Sequence, residues 1–168
     1  MYQADQFEKI MDNYTDLLFR IAYYYTQDVQ ISEDIIQETW IKFYWDRNYQ
    51  ERNELKAYLA TIVTNKCKDY LKSWAYRKIV LHKKLSFFNS IKSYDELYES
   101  SPLEEEVLLL PLKIKEAIVY FYFEDFSIKE ISRILTIPEG TVKSRLRRGK
   151  ELLKERLTTS EMEMMLYE

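Results

Sequence analysis

Apolar residues recur at three- and four-residue steps along most of the chain, and this spacing predicts helices rather than strands. The first helix is expected over residues 5–27. Ser32, with acidic residues behind it, has the features of an N-cap for a second helix that runs to about Asp46. A third long helix is expected from about Glu54 to Arg77. The stretch between the second and third helices has no apolar periodicity, so it is predicted to be a loop.

The periodic pattern disappears over residues 82–102, where serines, charges and scattered aromatic residues follow one another. We interpret this segment as a flexible linker between two helical domains. Beyond it the pattern returns in two short helices, at 103–110 and 113–123. The chain is therefore expected to be all-α, with two small helical domains at 1–81 and 103–168.

The segment from Ser127 to Leu157 has the pattern of two helices joined by a tight turn. Ser127 followed three residues later by Glu130 is a capping box that opens the first helix. The sequence TIPEGT then interrupts the pattern, and Pro138 is expected at the first position of the second helix. The apolar face of that second helix is formed by Val142, Leu146, Gly149 and Leu153. This arrangement is typical of a helix-turn-helix whose second helix enters the major groove of DNA.

Composition excludes several classes of protein. The chain of 168 residues is 46% hydrophobic, so global disorder is not expected. One Cys and one His exclude a disulfide framework and nearly exclude a zinc site, so no metal or cofactor is expected. No Gly-rich phosphate loop or nucleophile elbow is present, which argues against an enzyme. A reduced Cys67, a charged N-terminal segment and the lack of 18 consecutive apolar residues predict a cytoplasmic protein without membrane insertion.

Charge alternates in sign along the chain, although the formal net charge is only −3. Residues 1–40 hold eight acidic residues against two basic ones, and residues 95–106 hold six acidic residues and no base. Residues 65–84 hold seven bases, and residues 133–156 hold eight. Two basic surfaces on an acidic protein suggest two separate contacts with one polyanion. The alternative is that these charges form ordinary solvated helix faces.

Three motifs, in the same order, resemble conserved regions of bacterial RNA polymerase sigma factors of the sigma-70 family. The small extracytoplasmic-function group is the most similar. IKEISRILTIPEGTVKSRLRRGKELLKE resembles the fourth conserved region, SEDIIQETWIKFYWD the polymerase-binding helix, and LKAYLATIVTNKCKDYLKSWAYRK the promoter-melting helix. The resemblance implies a sigma-2 domain at 1–81, a linker at 82–102 and a sigma-4 domain at 103–168. It also implies three partners: core RNA polymerase, promoter DNA and an anti-sigma factor.

The resemblance further implies which residues form each contact. The helix expected to dock on core RNA polymerase contributes Asp34, Gln37, Glu38, Trp40, Ile41 and Phe43. The helix expected to hold the melted −10 element contributes Asn65, Lys66, Asp69, Tyr70, Lys72, Arg77 and Lys78. The −35 element is expected to meet Ser127, Ile128, Lys129, Thr141, Lys143, Ser144, Arg145, Arg147 and Arg148. Aromatic residues interleaved with bases, as in the second set, suit single-stranded DNA, because rings stack on bases and cations follow phosphates.

Alternatives remain open for some of these residues and for the whole chain. Trp40 and Phe43 could belong to the core, and Asn65, expected beside a pocket for a flipped base, could instead hold the backbone of a loop. A stand-alone helix-turn-helix regulator would explain residues 127–157, but it leaves the basic and aromatic helix at 54–77 without a role.

Two positions depart from the usual pattern of the resembled family. Thr136 stands where the family usually has glycine, at a turn that needs a positive φ angle, and a β-branched residue is strained there. Gly149 stands where alanine is usual, which should cost the helix about 1 kcal/mol.

Overall fold

The computed structural model describes residues 4–46, 49, 54–73, 77–79, 81, 101–159 and 161–163. The helices are α1 (Ala4–Thr26), α2 (Val29–Trp45), α3 (Leu55–Lys72), α4 (Pro102–Leu108), α5 (Leu112–Ile118), α6 (Ile128–Leu135) and α7 (Glu139–Lys154). A five-residue π-helix, Val119–Phe123, continues α5. Within the described residues there is no strand, so the expectation of an all-α fold is confirmed. No helix in this part of the chain is long and apolar enough to cross a membrane.

Helices α1, α2 and α3 pack together around one apolar core. Leu18 and Ile21 of α1, Phe43 of α2, and Leu59 and Val63 of α3 are completely buried there. The apolar residues of each helix face inward because they recur at three- and four-residue steps, which places them on one side of the helix. The packing therefore determines which sides of α2 and α3 remain exposed.

Helix α2 begins before the residue that the sequence predicted, so the prediction of Ser32 as its N-cap was wrong. The N-cap is Asp28, which has extended backbone angles and accepts a hydrogen bond from the Ile31 amide at 3.0 Å. Ser32 is buried inside the helix, where its Oγ donates to the carbonyl of Asp28 at 2.7 Å and shares a hydrogen bond with Thr26. Asp and Ser are both favourable N-cap residues, so residue type alone does not show which of the two caps the helix. The extended backbone at Asp28 identifies it as the N-cap.

Helix α3 ends at Lys72, with Ser73 as its C-cap, which is earlier than the predicted end at Arg77. Most of the predicted linker, 82–100, lies outside the described residues. Its last two positions belong to α4: Ser101 is the N-cap in a complete capping box, and Pro102 follows at the start of the helix.

The helix-turn-helix formed by α6 and α7 is confirmed by its hydrogen bonds and its burial. Ser127 accepts from the Glu130 amide at 3.2 Å, and Glu130 accepts from the Ser127 amide at 2.8 Å. Pro138 is the N-cap residue of α7, whereas the sequence predicted it at the first position inside the helix. The predicted apolar face of α7 is buried in full, at Val142, Leu146, Gly149 and Leu153.

Thr136 ends α6 in the left-handed region, with φ 55° and ψ 50°, as the sequence predicted for this turn. Its amide donates to the carbonyls of Arg133 and Ser132, which closes the last turn of the helix. The left-handed conformation places Cβ close to the backbone, so a residue with a side chain is strained there. Thr136 therefore occupies a position that glycine fits better.

We predict that Thr136→Gly stabilises the protein by about 1 kcal/mol, because glycine adopts a left-handed conformation without steric cost. For a chain of this size the expected rise in melting temperature is about 2–4 °C. Thermal unfolding followed by circular dichroism measures it. Thr136→Ala, which keeps a Cβ, is the matched control and should recover much less. An unchanged or lower melting temperature for Thr136→Gly would contradict the interpretation.

Gly149 marks a close contact between α7 and α5. A Cβ added at Gly149 would lie 2.6 Å from Cγ1 and 2.7 Å from Cδ1 of Ile118, and 3.0 Å from Cγ2 of Ile114. Ile118 is completely buried, so it has little room to move away. The glycine thus weakens the helix locally but permits the two helices to approach.

We predict that Gly149→Ala destabilises the protein by about 1–3 kcal/mol, since overpacking outweighs the gain of about 1 kcal/mol in helix propensity. Chemical denaturation measures the change. In a double-mutant cycle, Gly149→Ala should be less harmful in a background that carries Ile118→Ala, because the clashing atoms are then absent. Additive effects of the two substitutions would argue against the clash.

Candidate nucleic-acid and partner interfaces

The outer side of α2 carries one continuous exposed stripe. Asp34, Gln37, Glu38, Ile41 and Trp45 are all exposed, and they follow one another at three- and four-residue steps. Ile41 is 60% exposed and Trp45 is 64% exposed, so two large apolar side chains lie one helical turn apart at the surface. The stripe is acidic and polar at its N-terminal end and apolar at its C-terminal end. Apolar anchors beside polar residues are the usual composition of a protein–protein interface.

Trp40 and Phe43 do not belong to this stripe, although the sequence placed them in the polymerase-docking set. Trp40 is 5% exposed and Phe43 is completely buried. Phe7 of α1 stands edge-on to Trp40, with ring centroids 6.0 Å apart, and stacks on Phe43 at 6.1 Å. The prediction of a surface contact for these two residues is therefore corrected: they hold α2 against α1.

Trp45 was not among the residues that the sequence assigned to the polymerase-docking set, although it lies in the exposed stripe. The available signal was its spacing, four residues after Ile41 and therefore on the same side of the helix. Its ring packs edge-on against Tyr44 at 5.3 Å, while most of its surface faces solvent.

The outer side of α3 gathers part of the predicted −10 set. Asn65, Asp69 and Lys72 are exposed and share one face of the helix. Lys66 is half-buried and pairs with Glu38 of α2, with Nζ 2.8 Å from Oε2. This pair joins the helix predicted to bind DNA to the helix predicted to bind polymerase. The other members of the set are Tyr70, which is half-buried, and Arg77 and Lys78, which are exposed beyond the end of α3.

The outer side of α7 gathers most of the predicted −35 set. Lys143, Ser144, Arg147 and Arg148 are exposed together, and Arg148 pairs with Glu151 at 3.3 Å. Thr141, in the first turn of α7, is half-buried. At the start of α6, Ser127 and Lys129 are exposed and Ile128 is half-buried. The arrangement places three cations and a hydroxyl on the surface of the second helix of a helix-turn-helix, where they can reach a major groove.

Arg145 points away from this surface. Its side chain is only 18% exposed, and Nη1 lies 3.7 Å from Oε2 of Glu116 on α5. Lys68 of α3 approaches the other oxygen of the same carboxylate, with Nζ 2.9 Å from Oε1. The structure therefore separates Arg145 from the other predicted −35 residues and places it between the two helical halves of the chain.

Glu116 is the centre of a buried polar network between these halves. The hydroxyl of Tyr25 donates to Glu116 at 2.7 Å and lies 3.2 Å from the hydroxyl of Tyr120, which also bonds Thr64. Glu116 is 5% exposed and Tyr120 is 1% exposed. Burial raises the pKa of both phenols, and the neighbouring Glu116 raises that of Tyr25 further. Both tyrosines therefore remain neutral hydrogen-bonding groups at physiological pH.

A second group of contacts joins the halves at Glu124, which is 3% exposed. Arg20 of α1 donates to both of its carboxylate oxygens at 3.0 Å, and this hydrogen bonding raises the pKa of the guanidinium. Lys56 of α3 donates to the backbone carbonyl of Glu124 and lies over the ring of Phe126, 4.4 Å from its centroid. No signal in the sequence identified either group, because the partners are far apart along the chain.

Two family models match the chain. The model described as Sigma-70 region 2 matches residues 10–77, and the model described as Sigma-70, region 4 matches residues 101–153. Together they include α2, α3, α6 and nearly all of α7.

The chain is similar to curated proteins and to solved structures. The chain is 29% identical to the ECF RNA polymerase sigma factor SigW of Bacillus subtilis, over 91% of this chain and 89% of that protein. It superposes with a TM-score of 0.64 and 19% identity on the sigma factor RpoE of Bartonella quintana, in a complex with the anti-sigma factor NepR, over 95% of this chain and 96% of that one. The TM-score with CnrH, in a complex with the cytosolic domain of CnrY, is 0.61 at 18% identity, over 91% and 88%. The two structural likenesses show a shared fold.

Proposed function

Because the chain belongs to the sigma-70 family of bacterial RNA polymerase sigma factors, within its extracytoplasmic-function group, we propose that it binds core RNA polymerase and directs transcription from specific promoters. The observation that carries this proposal is the presence of three separate exposed surfaces on one helical scaffold. They are the acidic and apolar stripe of α2, the outer side of α3 and the basic outer side of α7. One surface suits a protein partner and two suit DNA.

In this proposal the chain is divided into a sigma-2 domain at 1–81, a linker at 82–102 and a sigma-4 domain at 103–168. The sigma-2 domain holds the melted −10 element and the sigma-4 domain recognises the −35 element. The chain itself performs no chemistry, since the polymerase forms the RNA. It acts in the cytoplasm, where core polymerase is present. A stand-alone regulator of duplex DNA is not favoured, because it uses neither the match at 10–77 nor the α2 stripe.

We further propose an anti-sigma factor as a partner. RpoE of Bartonella quintana is seen with the anti-sigma factor NepR, and its fold is shared by this chain. A protein that covers the α2 stripe or the α7 surface would keep the chain from polymerase or from the promoter.

The polymerase-docking surface proposed here consists of Asp34, Gln37, Glu38, Ile41 and Trp45. We predict that Ile41→Ala and Trp45→Ala each weaken capture of core polymerase, with Trp45→Ala costing about 2 kcal/mol, because exposed aromatic anchors dominate such interfaces. Biolayer interferometry with purified core polymerase measures the affinity.

The matched control for both is Val29→Ala, which removes an exposed apolar side chain from another face of the same helix. All three variants should keep the melting temperature of the wild type, since the residues lie at the surface. Equal affinities of Trp45→Ala and Val29→Ala for polymerase would contradict the assignment of the stripe.

We predict that substitutions in the two DNA-binding surfaces impair different steps of transcription initiation. Arg147→Ala should weaken binding of the polymerase holoenzyme to duplex promoters and reduce the salt dependence by about one unit, as loss of a phosphate contact does. Asn65→Ala should leave duplex binding nearly intact and impair strand opening, because a flipped base is available only after melting. Filter binding measures the first step and permanganate footprinting the second.

The control for the charge lost in Arg147→Ala is Lys9→Ala, and the control for the amide lost in Asn65→Ala is Asn13→Ala. Both control positions are exposed on α1. Asn65→Ala should also be partly rescued on a template that is already melted at the −10 element. If Asn65→Ala impairs duplex binding as much as Arg147→Ala does, the division between the two surfaces is wrong.

Transcription with purified core polymerase on a library of promoter sequences tests the function as a whole. Wild-type protein should select a subset of promoters that share −35 and −10 elements. Binding to duplex DNA without polymerase, together with no effect on transcription, would favour the stand-alone regulator instead.

A further inference from the structure

A cleft of about 290 Å³ lies beside the C-terminal end of α3, where α5, α6 and α7 complete its walls. Its apolar wall consists of Leu71, Leu112, Leu135 and Ile137. Ligand sites in proteins are mostly apolar concavities of about 300–1,000 Å³, so the cleft has the size of a site for a small molecule. None of these four apolar residues belongs to the surfaces assigned above to polymerase or to DNA.

The charged groups that line the cleft are four basic side chains and one carboxylate. Lys68 and Arg145 already face that carboxylate, which belongs to Glu116, at 2.9 Å and 3.7 Å. The other two bases, Lys72 and Lys113, are exposed, and neither side chain is paired with an acidic residue in the part of the chain that the structure describes. A cleft with an excess of one charge concentrates counter-ions, so this one attracts anions.

The combination of an apolar wall with unpaired cations determines the chemical class of ligand. A small hydrophilic anion would neutralise the lysines but leave the aliphatic side chains in contact with water. A neutral apolar molecule would cover those side chains but leave the lysines without a counter-ion. A molecule with an acidic group at one end and an aliphatic body satisfies both parts of the cleft, because it gains the charge-assisted hydrogen bonds and the burial of apolar surface together.

We propose that this cleft binds a small amphiphilic anion, with its carboxylate or sulfate group held by Lys72 and Lys113 and its aliphatic body against the apolar wall. Such a ligand contacts α3 on one side and the helices of the C-terminal half on the other. It binds the folded chain and not the unfolded one, so it should raise the melting temperature. The site does not depend on the proposed function, since it is defined only by the residues that line the cleft.

Isothermal titration calorimetry of the full chain with sodium octanoate tests the class of ligand. Octanoate should bind at one saturable site and raise the melting temperature. Acetate carries the charge without the chain and 1-octanol carries the chain without the charge, so each should bind at least tenfold more weakly. Equal affinity for acetate would indicate a simple anion site, and equal affinity for 1-octanol a site that does not use the lysines. Either result, or the absence of saturable octanoate binding, would overturn the proposal.

Two substitutions test whether octanoate occupies this cleft. Lys113→Gln removes a cation but keeps a long polar side chain, and the affinity for octanoate should fall about tenfold, as expected for loss of a charge-assisted hydrogen bond. Its matched control is Lys9→Gln, at an exposed position of α1. Leu112→Ala should weaken binding severalfold by removing part of the apolar wall. Its matched control is Leu109→Ala, because Leu109 is an exposed leucine that does not line the cleft.

All four substituted side chains are exposed, so each variant should keep the melting temperature of the wild type in the absence of octanoate. Thermal unfolding followed by circular dichroism verifies this. If folded Lys113→Gln binds octanoate as tightly as Lys9→Gln, or folded Leu112→Ala as tightly as Leu109→Ala, octanoate occupies another site and the proposal is wrong. Transcription assays do not enter these comparisons, so a failure of the proposed function leaves the result for the cleft unchanged.

Discussion

The buried carboxylate of Glu116 is the constraint that determines how the two helical halves lie against each other. A carboxylate that is 5% exposed requires charged or hydrogen-bonding partners, because an isolated ion in an apolar environment is very unfavourable. Its partners come from three other helices: Tyr25 from α1, Lys68 from α3 and Arg145 from α7. Satisfying this one group brings four helices to a single point. The salt bridge between Arg20 and Glu124 adds a second point of attachment. Two points of attachment prevent the halves from rotating relative to each other about a single contact.

The same constraint sorts the basic residues of the chain into two groups. On α7, Arg145 faces the junction while Arg147, two positions on, points to the opposite side of the helix. Arg148, one turn after Arg145, is exposed and pairs with Glu151. On α3, Lys68 faces the junction and Lys72 is exposed. Each proposed DNA-binding helix is therefore partly engaged in intramolecular contacts. An acidic protein can in this way carry basic surfaces and still limit binding to arbitrary DNA.

The turns of the fold are made almost without glycine. The chain has two glycines, and both lie in α7, so positive φ angles fall on Gln27, Asp125 and Thr136. Asp125 follows the π-helix and directs the chain into the helix-turn-helix, and Thr136 makes the turn within it. Glycine appears instead at a packing contact, where Gly149 lets α7 approach α5. Backbone strain is accepted at the turns because the capping bonds and the buried faces of the flanking helices determine where the chain must go.

The sequence by itself determined the helical class, the capping box at Ser127, the buried face of α7 and the identity of the conserved regions. These features are local: a repeat of 3.6 residues or a capping motif is complete within one segment. Only the tertiary structure decided that Trp40 is buried while Trp45 is exposed, because periodicity defines one apolar side of a helix but not how far packing covers it. Only the tertiary structure could reveal the partners of Glu116, since Tyr25 lies 91 residues away and no local pattern records a contact of that range. From the sequence, a charged residue can lie either at the surface or at the junction between the two halves. Which of these it occupies depends on which helices pack together.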